Sequence, residues 1–87
     1  MYSIELTVKL SPLPLIVQRK KHEDAKRLYS EVIDIIKKGN QSFIELSCEK
    51  VEDKKITVLA SEIIAIQIYE KTSSSGSSKR PGFSLQG

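Results

Sequence analysis

The chain has 87 residues, a formal net charge of +3 and a pI near 9.1, with 39% hydrophobic and 29% charged residues. That balance is globular, allows one domain with a thin core, and leaves little room for a deep, water-excluding pocket. The charge excess is mild and interleaved, which argues against a dedicated nucleic-acid binder, and no apolar run approaches the ~20 residues needed to span a bilayer.

Residues 2–10, "YSIELTVKL", alternate strictly. Tyr2, Ile4, Leu6, Val8 and Leu10 share one face; Ser3, Glu5, Thr7 and Lys9 share the other. A strand with one buried and one wet face is expected. "SPLP" follows, and neither Pro12 nor Pro14 can donate a ladder hydrogen bond, so it reads as a turn. "LIVQRK" continues as a second strand, hairpinned to the first.

The period changes at about His22. Ala25, Leu28, Tyr29, Val32, Ile35 and Ile36 recur at three- and four-residue steps, which predicts a helix to Lys38. Glu23 and Asp24 suit its positive end, Lys37 and Lys38 its negative end, and Gly39-Asn40 supplies a stop. Alternation resumes in "SFIELSCEK", residues 42–50, with Ile44, Leu46 and Cys48 on one face. "VEDKK" is a polar turn. "ITVLA" and "IIAIQIYE" are rich in β-branched residues and read as strands, with a corner at Ala60-Ser61-Glu62. Ile64, Ile66 and Ile68 are expected to face the core.

The expected fold class is α+β: a single helix on a mostly antiparallel sheet, in the order β-β-α-β-β-β. Two topologies fit. One is a meander. The other is a β-grasp-like arrangement, in which the first and last strands pair in parallel. Residues 1–71 form the expected domain. Residues 72–87 form a Ser/Gly-rich segment expected to be a disordered tail, because Phe83 and Leu85 alone cannot offset the entropy of ordering it.

The opening "MYSIELT", then "PLPLIVQRK" with "EDAKRLY", "GN" followed by "IELSCEK", "VLASEIIAIQ" and the closing "RPGF" together cover nearly the whole chain. In these pieces it resembles a family of small, largely uncharacterised cyanobacterial proteins. The resemblance implies a cyanobacterial cytoplasm and carries no catalytic residue or cofactor onto these positions. Ile16 departs from the family pattern, where a smaller or polar residue is expected on the outer face of the second strand.

No catalytic residue, cofactor site or metal site is expected, and the protein is read as a non-enzyme. Cys48 and His22 could form a nucleophile and base, but Cys48 alternates with core residues, where a free cysteine acts as a small hydrophobe. One histidine, one cysteine and scattered carboxylates lack zinc-ligand spacing. "EDKK" lacks the length and glycine of a calcium loop. There is no phosphate loop, GxGxxG or GxSxG. The β-grasp option raises sulfur carriers, but the sequence closes Leu85-Gln86-Gly87 without their Gly-Gly. "MYSIELTVKL" alternates and is charged, unlike a targeting peptide, and the single cysteine fits a reducing compartment. The expected location is cytoplasmic.

Two stretches are candidates for partner binding. "IVQRKKHEDAKR" holds Arg19, Lys20, Lys21, Lys26 and Arg27 where a strand hands over to a helix. Its acids partly neutralise it, since Glu23 can reach Lys26 or Arg27. The second is "KRPGF", where Lys79, Arg80, Pro81 and Phe83 combine charge, a turn and an aromatic anchor. The leading expectation is an accessory or adaptor protein that binds a larger protein partner through a sheet face, an edge strand or the tail. The alternative is low-specificity RNA binding through the basic corner. Nucleic acid ranks lower because the corner lacks exposed stacking aromatics.

Overall fold

A computed structural model describes residues 1–39 and 42–70. The elements follow the expected order: β1 (Tyr2–Val8), β2 (Leu15–Arg19), α1 (His22–Lys38), β3 (Phe43–Ser47), β4 (Lys55–Leu59), a 3-10 turn (Ala60–Glu62) and β5 (Ile63–Glu70). One helix is combined with antiparallel sheets, as the hydrophobic periods require. Residues 72–87, the expected tail, lie outside the described residues.

The strands form a three-stranded sheet in the order β2-β1-β5 and a separate β3-β4 pair. Every pairing is antiparallel. The β-grasp option, with its first and last strands parallel, is therefore corrected. The Lys9 N–H donates to the Glu62 carbonyl at 2.9 Å, so β5 starts beside the far end of β1 and runs back along it. A plain meander is also set aside, because β5 returns to β1 instead of following β4.

Helix α1 forms where the apolar period is helical, and its ends match the dipole. Glu23 and Asp24 sit in the first turn and Lys37 and Lys38 in the last. Gly39 adopts φ 71°, and its N–H donates to Ile36 O at 3.1 Å. That left-handed step closes the helix and suits glycine. Ala25 and Val32 are buried in the contact with the sheet. Leu28, Ile35 and Ile36 pack around them.

The core forms where α1, the inner face of the three-stranded sheet and the β3-β4 pair meet. Ile4, Leu6 and Val17 come from the sheet, Ile44, Leu46 and Val58 from the hairpin. Hairpin and sheet share no ladder. Side chains and loop backbone join them instead: Lys54 Nζ donates to Ile16 O at 2.8 Å, and Glu49 N–H to Gln18 O at 3.0 Å.

Three face assignments change on folding. Leu10, expected on the buried face, follows the end of β1, with φ 60° and a wholly exposed side chain. Ser3, expected on the wet face, is buried. Ile64, expected in the core, is 61% exposed. The register explains the last. Thr7 pairs with Ala65 but Val8 pairs with Ile63, so Ile64 is the extra residue of a bulge. The bulge shifts the alternation, and Ile63 takes the core position in its place.

Candidate functional site

Antiparallel partners share a face, so β1 builds a polar row on the side of its sheet away from the helix. Ser3 lies between Gln18 on β2 and Tyr69 on β5. Gln18 Nε2 donates to Ser3 Oγ at 3.1 Å, and Ser3 lies beside Tyr69 across the β1–β5 ladder. The Tyr69 hydroxyl donates to Glu5 Oε1 at 3.0 Å. Two side-chain bonds, Gln18 to Ser3 and Tyr69 to Glu5, thus tie β1 to both of its neighbours on this face. Burial, then the bond to Glu5 and its charge, push the Tyr69 hydroxyl above its ordinary 10.0, and the neighbouring Ser3 hydroxyl offsets this only in part. The row braces the sheet. Ile16 lies on the same face, beside Glu5, and is half-buried.

The basic corner is real but partly engaged. Arg19 is half-buried, and its guanidinium donates to Gln18 O at 3.0 Å and Ser47 O at 2.6 Å, clamping β2 to the end of β3. The Lys20 N–H donates to Glu49 Oε1 at 2.7 Å. Lys21 caps α1 through its backbone, accepting from the Ala25 N–H at 3.1 Å. Arg27 pairs at 3.0 Å with Asp24 rather than with Glu23. The side chains of Lys20, Lys21 and Lys26 are exposed. His22 has a companion that the sequence did not suggest: its ring stacks on Tyr2, centroids 4.7 Å apart. The signal lay in the register, since Tyr2 pairs with Arg19 at the end of the strand that leads into the helix. Lys79, Arg80, Pro81 and Phe83 lie outside the described residues.

Cys48 is half-buried against the core, as its alternation predicts, but it is not an ordinary buried thiol. Burial pushes its pKa up. Backbone contacts at Val51, Lys50 and Gln18 and the nearby Lys54 ammonium outweigh burial, and the net value falls below the ordinary 9.0. Alkylation of the folded protein with iodoacetamide should therefore rise with pH through a midpoint below that of the denatured chain. Coincident midpoints would contradict it. The linkage has a defined sign. Because the folded value is depressed, the thiolate's contribution to stability is present above 9.0 and is lost as pH falls through the folded value.

Among the described residues no group of three or more His, Cys, Asp and Glu side chains is placed to hold a metal, and no helix is long and apolar enough to cross a membrane. A groove of ≈ 320 Å³ is lined by Glu45, Ser47 and Lys55 on the β3-β4 pair, and another of ≈ 190 Å³ by Ile36, Gly39, Ala60, Ser61 and Ile63.

Alternation gives no sign of the end of the sheet where the β1–β2 turn meets the bulge. Leu10 is wholly exposed there, with Leu13 at 72% and Ile64 at 61%. The turn is well formed: Ser11 N–H donates to Val8 O at 3.2 Å and Ser11 Oγ to Leu13 O at 3.1 Å. An ordered turn thus carries two leucines into solvent. Alternation placed Leu10 in the core, and only the end of the strand at Val8 reversed that.

These features define a small α+β domain with an open sheet face, a partly engaged basic corner and an apolar end. The chain belongs to the UPF0367 protein family, whose model matches residues 3–71. A UPF0367 protein of Prochlorococcus marinus strain NATL1A is 73% identical over 86 residues, which is 99% of each chain. One from strain MIT 9303 of the same species is 59% identical over 86 residues, again 99% of each. One from Synechococcus sp. strain WH7803 is 51% identical over the same span and shares. No solved structure matches.

Proposed function

We propose that this protein is a non-enzymatic accessory or adaptor protein of the cyanobacterial cytoplasm, which binds a larger protein partner through the apolar end of its three-stranded sheet. Leu10 carries the reading. A non-glycine residue at φ 60° is strained, and a wholly exposed leucine side chain gains nothing from the protein's own packing. Neither the backbone nor the core favours leucine here, so a contact outside the domain is the physical reason for it. Leu13 adds a second exposed leucine on the same turn. The tail, with Phe83 as an anchor, is a second contact. RNA binding through the basic corner has less support, because Arg19 is bound to backbone carbonyls and Arg27 to Asp24.

Leu10→Gly separates function from folding. It relieves the left-handed strain and is expected to raise stability by about 1 kcal/mol, measured by urea unfolding. It should also abolish retention of the partner from native lysate, as read by mass spectrometry of captured proteins. Capture equal to wild type would end this reading of the apolar end. Capture by the full chain but not by a version without residues 72–87 would place the contact in the tail.

A further inference from the structure

The two edges of the three-stranded sheet are treated differently. Edge strand β2 is short and follows Pro12 and Pro14. Its outward carbonyls are occupied, Ile16 O by Lys54 Nζ at 2.8 Å and Gln18 O by the Glu49 N–H at 3.0 Å. The chain thus closes that edge with its own groups. Edge strand β5 has eight residues, "IIAIQIYE", with no proline, no glycine and no lysine or arginine. Among the described residues no strand lies beyond it. A long edge without these protections is a template for another strand.

We propose that β5 is a self-association edge, pairing antiparallel with β5 of a second copy of this chain about a two-fold axis at Gln67, to make a continuous six-stranded sheet. Charge sets the orientation and the register. Glu70 is the one ionisable side chain of β5 apart from the high-pKa phenol of Tyr69. A parallel, in-register pairing would stack the two Glu70 side chains. A two-fold at Ile66 would set Glu70 opposite Glu62. With the axis at Gln67, Glu70 lies opposite Ile64, at the outer ends of the interface. Ile66 then lies opposite Ile68 twice. Both are only half-buried, although they pack on the core from the helix side, and cross-strand isoleucine contacts would finish their burial. On the other face Ala65 lies opposite Tyr69, and the two Gln67 amides face each other. Ile64, 61% exposed in the single chain, is covered by the aliphatic stem of Glu70. This goes beyond the proposed function, since it needs no other protein.

The test uses the full chain. Sedimentation equilibrium should give twice the chain mass of 9.8 kDa. Gln67→Lys, at an exposed position, sets two positive charges opposite each other and should weaken the dimer about fivefold or more, less so at high salt, with the circular dichroism unchanged. In a Cys48→Ser background, Gln67→Cys should form a disulfide-linked dimer under mild oxidation much faster than Ala65→Cys, whose two copies are four residues out of register. A monomer at all concentrations overturns the proposal. A dimer insensitive to Gln67→Lys, or equal cross-linking at 65 and 67, also overturns it, because the contact then lies elsewhere.

Discussion

Leu6→Ala is expected to destabilise the domain by about 2–5 kcal/mol, the range for removing a buried leucine and leaving a cavity. Leu6 is 1% exposed and lies on β1, the central strand, opposite Leu15 on one side and Ile66 on the other. Its surroundings cannot collapse easily. The two flanking strands are pinned by their ladders to β1, and the helix is held above by Ala25 and Val32. Domains typically have about 5–15 kcal/mol of total stability, and a chain this short sits toward the low end. The substitution should lower the urea midpoint by a large fraction of its value. A loss below about 1 kcal/mol would mean that the inner face of β1 is not the packed centre described above.

Ser3→Ala is expected to cost about 1–3 kcal/mol despite removing a single oxygen, because it leaves a buried amide without its acceptor. Gln18 is 7% exposed and donates to Ser3 Oγ. Adding Gln18→Leu removes the orphaned amide and should restore part of the loss, so the double variant is more stable than the sum of the singles. Tyr69 gives a second readout. The neighbouring Ser3 hydroxyl lowers its pKa, so losing that hydroxyl should move its titration further above 10.0, by ultraviolet difference spectroscopy. Strict additivity, with no movement of Tyr69, would show that the row on the outer face is not a connected network.

The contrast between Leu6 and Ser3 shows how much was legible in advance. Leu6 could be placed from alternation alone, because a period of two puts one face of a strand on the core whatever it pairs with. The same rule put Ser3 in water, and there it failed. Burial on the second face depends on neighbours from β2 and β5, and Gln18 and Tyr69 are far from Ser3 in the chain. Ile64 failed for a related reason: a bulge opposite Val8 breaks the count by one residue, and no local feature of "IIAIQIYE" announces it. Of the candidate site residues, the bases at 19–27 were found because charge is visible in sequence. That Arg19 is bound to the carbonyls of Gln18 and Ser47 was not, since one of these groups comes from the distant β3.

The sequence by itself therefore determined the elements, their order, the bounds of the helix and its stop at Gly39. These depend on period, end charge and the freedom of glycine at positive φ, all of which act within a few residues. The tertiary structure alone decided that β5 returns antiparallel to β1, that the β3-β4 pair stands apart as a clasp, and that Leu10 is thrust into solvent while Ser3 is withdrawn from it. These outcomes depend on which groups meet across long loops, where the free energy lies in packing and paired hydrogen bonds rather than in local preference.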